Sequence, residues 1–179
     1  TNAPISIYVT NLGKYNEGEL VGEWVDLPIF KDELLEVYKR IGINTKYEEI
    51  FLSDYESTIE GVTRYISEYT PIEDLNALAT ALNGLNDSEG EIYQAMLEAG
   101  IYPINSIKSL IELISRLDEM TLIDDIEDED DLGHYFFDEM GYLLESEKSY
   151  LQWYFNYERY GQDVHLNLGG SFTSYGYLY

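Results

Sequence analysis

The chain has 179 residues, 45% of them apolar, enough to bury a core and too many for a disordered acidic tail. It carries 35 acidic residues against 10 basic ones, a formal net charge of −25. That balance argues against direct binding to nucleic acid or an anionic membrane, and for a cationic surface as partner. With no cysteine, disulfides, zinc–thiolate sites and thiol nucleophiles are excluded, which fits a reducing cytoplasm. Apolar runs fall short of the roughly 20 residues of a membrane span, and TNAPISIYVT reads as no secretory signal.

In chain order, Ile5 to Thr10 alternates and is β-branched, which predicts a strand. NLGKYNEGE is a turn-rich connection, and LVGEWVDLPI a second strand ended by Pro28. KDELLEVYKRIG spaces Leu34, Leu35, Tyr38 and Ile41 as a helix with Gly42 as its cap, and YEEIFLSDYE returns as a third strand. Helices are predicted over 71–83, from a Thr70–Glu73 capping box with Pro71 at the first position, and over 89–99, from Ser88–Glu91. After Asn105, the stripe Ile107, Leu110, Ile111, Ile114 and Leu117 predicts a core-facing third helix. TLIDDI reads as a strand, 133–144 and 147–158 as helices, and DVHLNL and GSFTSYGYLY as strands turning at Gly169-Gly170. The expected fold is α+β, an elongated row of three units: sheet plus helix over 1–61, a helical middle over 62–103, and a mixed unit over 104–179.

Thirteen acidic residues and no basic one lie between Leu117 and Glu147. Counted from Asp128, a calcium loop would use Asp128, Asp130, Gly133 and Glu139, but Leu132 stands where an oxygen ligand belongs. An acidic calcium-binding protein with a degenerate loop at 128–139 is therefore the alternative reading; the preferred reading has no metal and no cofactor. Among 35 acids any catalytic carboxylate pair is an arbitrary choice. His134 and His165 lack metal-ligand spacing, GSFTS lacks the second glycine of a nucleophile elbow, and GKYNEG is no phosphate loop. No enzyme is expected.

The remaining acids are spread along the chain, including Glu17, Glu19, Glu23, Asp26, Glu48, Glu49, Asp54 and Glu56. Duplex DNA carries one charge per ~1.7 Å of axis, so a net −25 matches about 42 Å of duplex and two copies about 85 Å. Solubility, or a salt-rich habitat, is the competing explanation of the charge. From Val164 to Tyr179 no residue is charged apart from His165, so that tail is expected either in a buried sheet or in a contact between subunits. With the aromatic stretch Tyr150 to Tyr160, it supplies the candidates for a dimer interface: Tyr150, Trp153, Tyr154, Tyr157, Phe172, Tyr175 and Tyr177.

NLGKYNEGELVGEWVDLPI (Asn11 to Ile29) and IGINTKYEEIFLSDYE (Ile41 to Glu56) resemble the ArdA family of antirestriction proteins, carried on conjugative plasmids and transposons. YFNYERYGQDVHL (Tyr154 to Leu166) is similar to the family's Tyr-x-x-Tyr-Gly-Arg-Asp-Leu segment, with Gln162 and Val164 departing from it. The resemblance covers about the first 60 and last 30 residues. It implies an elongated homodimer that mimics duplex DNA and occupies the DNA groove of type I restriction–modification enzymes, on their specificity and methyltransferase core. The setting it implies is the cytoplasm of a bacterium receiving a mobile element. The phosphate-mimicking candidates are then Glu17, Glu19, Glu23, Asp26, Glu48, Glu49 and Asp54, with Asp124, Asp125, Glu127, Asp128, Glu129, Asp130 and Asp131.

Overall fold

The computed structural model describes residues 2–140 and 143–179. Among them, eight α-helices and two three-stranded antiparallel sheets form the α+β architecture that the sequence predicts. By contacts the chain makes two compact units, one running to Gly90 and including Tyr102–Arg116, the other comprising Glu91–Ile101 and Leu117–Tyr179. The sequence reading sets 62–103 apart as a middle unit. In the structure α3 (Ile72–Leu82) packs on α5 (Ile107–Ile114) and on β2 (Gly22–Leu27), so both helices group with the N-terminal sheet.

The first sheet has the order β2–β1–β3, with β1 spanning Ile5–Asn11 and β3 Ile50–Ser57. Ile5, Ile7 and Val9 on one face of β1 are wholly buried, each stabilising the fold by about 1.5–3 kcal/mol. On the other face every hydroxyl of β1 is engaged. Ser6 donates to Asp26 (2.6 Å), Tyr8 to the Gly22 carbonyl (2.9 Å), and Thr10 shares a proton with Ser53 (2.6 Å).

Where a turn-rich connection is expected, the chain forms a short helix, α1 (Leu12–Asn16). Asn11, wholly buried, makes it possible: its side-chain oxygen accepts from the Lys14 N–H (3.0 Å), capping α1. Its amide nitrogen donates to the carbonyls of Ile41 (3.0 Å) and Gly42 (3.3 Å), just past α2 (Lys31–Arg40), where Gly42 takes a left-handed φ of 79°. A Cβ on Gly13 would overlap the Tyr47 ring. The NLGKYN signature is thus scaffold. Asn11→Ala is expected to lower unfolding free energy by about 2–3 kcal/mol, from a lost cap and the stranded Ile41 carbonyl, as urea denaturation will read; the Gly42 carbonyl keeps its bond from Asn44 (3.1 Å).

The next two helices start one or two residues away from the predicted positions. α3 begins at Ile72 with Pro71 before its first turn, while Thr70 Oγ1 accepts from the Ser67 N–H (2.8 Å) instead of capping. α4 (Asp87–Ala99) is opened by a reciprocal box between Asn86 and Glu89 (2.9 and 3.0 Å), two residues upstream of Ser88. Of the predicted stripe, Ile107 and Leu110 in α5 and Leu117 just beyond it are buried, Ile111 and Ile114 only partly, and Leu113 is buried as well.

In the second unit the sheet order is β4 (Leu122–Ile123), β6 (Gly176–Leu178), β5 (Ser171–Thr173), around a core of Ile123, Ile126, Leu132 and Tyr177. Its helices are α4 from Glu91 onward, α6 (Glu129–Asp138), α7 (Glu145–Leu151) and α8 (Tyr157–Leu168). Gly141 and Tyr142, inside the expected 133–144 helix, lie outside the described residues. DVHLNL is not a strand. Its two-residue alternation is outweighed by a longer helical spacing in which Tyr157, Gly161 and Val164 share a face, with Gly161 buried and Val164 on the core. Gly169 (φ 66°) closes α8, its N–H donating to the His165 carbonyl (2.8 Å), and the hairpin turns at Ser174-Tyr175 instead.

Candidate functional site

The acidic run from Asp124 to Asp131 is held by its own side chains. Asp128 accepts from the Asp131 N–H (3.0 Å) as the cap of α6, and Asp131 accepts from the Glu127 N–H (3.0 Å). Glu129, Asp130 and Asp131 fill the first helical turn, where carboxylates are stabilised by the exposed N–H groups and the helix dipole. This corrects the calcium alternative: residues 129–138 are helix, Leu132, Gly133 and Phe137 are buried, and no twelve-residue loop exists to wrap an ion. His134 stacks on Tyr157 at 3.6 Å between ring centroids and lies 3.5 Å from Asp130.

α6 is seated against α8 by a glycine pair. A Cβ on Gly133 would land on the Tyr157 carbonyl, and one on Gly161 on the Glu129 carbonyl, so the two backbones meet with no side chain between them. Beyond α6, Asp124, Asp125 and Glu127 line an open cleft of about 790 Å³ with Glu91, Ser174 and Tyr175. Asp125 holds a left-handed φ of 58°. Glu91 is more than thirty residues from the run in sequence, where the pattern marks it only as a capping-box residue. Glu98 is engaged nearby, accepting from the Ser174 N–H (2.9 Å) and hydroxyl (2.6 Å).

The N-terminal acids fall into two groups. Glu23 binds Arg40 with both carboxylate oxygens, the closest at 2.5 Å, which raises the guanidinium further above its ordinary range. Glu17 accepts from the Tyr47 hydroxyl (2.8 Å) and lies 3.8 Å from Lys46, whose pKa is raised first by Tyr47 and then by Glu17. These two share their charge with cations of the chain. Glu19, Asp26, Glu48, Glu49 and Asp54 are exposed. The strand register places Asp26 and Glu56 on either side of Ser6, and Trp24 and Asp54 on either side of Tyr8, on one sheet face.

The aromatic candidates separate as clearly. Tyr150, Trp153 and Tyr154 are 67%, 81% and 76% exposed on and just beyond α7. Tyr157 is half-buried against His134, Phe172 packs on the core, and Tyr175 lines the acidic cleft. Tyr177 is wholly buried and has no surface to offer a second subunit, which corrects its place among the interface candidates. Its hydroxyl lies 2.9 Å from His165 Nδ1 and accepts from the Gly170 N–H (3.2 Å). Burial pushes its pKa up, against the opposing Gly170 bond. Of the alternatives for the charge-free tail, the buried sheet accounts for β6.

The first unit holds 18 acidic and 8 basic residues, net −10; the second holds 17 and 2, net −15. Such crowding is relieved by screening, so the melting temperature is expected to rise between about 0.05 and 0.5 M chloride. A fall over that range in scanning calorimetry shows that the repulsion is already offset. No helix among the described residues is long and apolar enough to cross a membrane.

These features define an acidic α+β protein that displays carboxylates and tyrosines on its surface. A family model described as antirestriction protein (ArdA) matches residues 7–179, and the chain belongs to that family. Its function is antirestriction, and the partners the family implies are restriction enzymes. No curated protein matches the chain.

Proposed function

We propose that the protein inhibits type I restriction–modification enzymes by standing in for duplex DNA in the groove of their specificity and methyltransferase core. It does so without catalysis, in the cytoplasm of a cell receiving a mobile element. The carrying observation is the run Asp124 to Asp131, displayed on the surface of a unit with 17 acids and 2 bases. A groove built to neutralise phosphates accepts carboxylates at similar spacing, i and i+4 on a helix lying about 5–6 Å apart. Release of counterions from the partners drives association.

The active species in this reading is a homodimer, joined through Tyr150, Trp153 and Tyr154. Neutral aromatic surface is where two strongly anionic chains meet with least repulsion, and aromatics dominate interface energies. Replacing all three by Ser in the full chain and sedimenting it tests the contact: an unchanged dimer puts the interface elsewhere.

The deciding experiment for the function is displacement of duplex DNA from a purified type I methyltransferase core at several salt concentrations. Competition that weakens steeply with salt, whatever recognition sequence the DNA carries, supports mimicry. Binding indifferent to salt, or coexisting with bound DNA, overturns it.

A further inference from the structure

We infer that the outer face of the β2–β1–β3 sheet is a receptor for an arginine side chain, with Trp24 as platform and Asp26, Asp54 and Glu56 as its anionic surround. For the identity of the partner, a restriction enzyme with a cationic DNA groove, the inference rests on the reading just given.

The register makes two cross-strand rows, Trp24–Tyr8–Asp54 and Asp26–Ser6–Glu56. Neighbouring strands lie about 4.8 Å apart, and rows two residues apart are separated by roughly 6.6 Å. A guanidinium over Trp24 therefore has Asp26 about 6.6 Å along its own strand, and Asp54 and Glu56 about 9.6 and 12 Å away across two strands, as the wider negative field. Trp24 is 47% exposed, large for an indole beside so many charges. Its ring is braced edge-on by Tyr8, centroids 5.6 Å apart and planes at 76°, and the Tyr8 hydroxyl is anchored on the Gly22 carbonyl. Asp26 is braced in turn by Ser6. None of the three strands contains Lys or Arg, while Asp26, Asp54 and Glu56 are all exposed. The face offers a fixed π surface inside a negative field, and Arg40, which shares a hollow with Trp24 and Asp26, is held by Glu23.

Carboxylates alone attract lysine and arginine alike. An indole face adds a preference for arginine, whose planar and weakly hydrated guanidinium stacks where an ammonium keeps its water. Duplex DNA's phosphates offer no such surface, so this contact would distinguish the mimic from a plain polyanion.

The test uses the full chain labelled with fluorotryptophan, whose two indoles give two fluorine NMR signals, Trp24's assigned by its loss in Trp24→Phe. Nona-arginine is expected to shift the Trp24 signal and to bind about tenfold tighter than nona-lysine. Trp24→Leu, with unchanged circular dichroism, should erase that preference and leave a common, salt-sensitive affinity. Equal binding of the two peptides, or a preference that survives Trp24→Leu, overturns the inference. On the methyltransferase core, Trp24→Leu should weaken DNA displacement about tenfold and Trp24→Phe by less. Full potency of Trp24→Leu sinks the arginine site, whereas failure of the unsubstituted chain to displace DNA sinks the mimicry reading. Altered sedimentation of Trp24→Leu assigns the face to a second copy of the chain, which also counts against it.

Discussion

Changing Asp124, Asp125 and Asp128 to Asn and Glu127 to Gln together is expected to weaken DNA displacement by roughly tenfold to a thousandfold. The slope of log affinity against log salt should flatten by up to about 3–4, near 0.9 for each phosphate equivalent removed. The substitutions suit the local backbone. Asn caps a helix as well as Asp does, so α6 keeps its start at position 128, and Asn tolerates the left-handed backbone at position 125. The loss is then electrostatic, and circular dichroism should not change. Each substitution alone should cost little and about the same, because a phosphate substitute carries no base-specific information. If one of the four abolishes inhibition while fold and assembly persist, the contact is a localised site and mimicry of a polyanion is the wrong account.

Gly133→Ala and Gly161→Ala should each destabilise the second unit by about 3–5 kcal/mol, because the new methyl meets a backbone carbonyl that cannot rotate away. Loss of amide protection in α6 and α8 by hydrogen exchange, with the N-terminal sheet protected as before, is the expected signature. Inhibition should fall with it, since the acidic run ends in the first turn of α6. Gly90→Ala is the control, its added Cβ meeting nothing within 4 Å. Wild-type protection in either glycine variant means that the helices separate easily and the crossing is not what holds α6.

Local signals proved readable where one pattern ruled. The first three strands and α2 follow from alternation and helical spacing, and the acidic character of the run is plain from composition. The failures came where two patterns overlapped or where the decisive partner lay far off. DVHLNL satisfies a strand period, yet Gly161 docks on the Glu129 carbonyl from a distant part of the chain, and that packing decides for helix. Asn11 looks like a turn residue because its two acceptors lie thirty residues on. Trp24 attracts no notice in the sequence; only the pairing of three strands surrounds it with acids. Tyr177 looked like interface because a charge-free tail fits a contact between subunits as well as a core, and only burial separates the two.

The position of β2 at the end of its sheet has a further consequence. An end strand exposes unpaired backbone groups that invite another strand, the usual first step of edge-to-edge polymerisation. Asp26, exposed on this strand, acts as a gatekeeper, since a second copy would have to set its own acids against it. The charge proposed to meet a cationic groove therefore also opposes association of copies edge to edge. At the isoelectric point of about 4.1 the chain as a whole carries no net charge, and the repulsion between copies is gone. Fibrous or amorphous precipitation should begin there, well before the fold is lost.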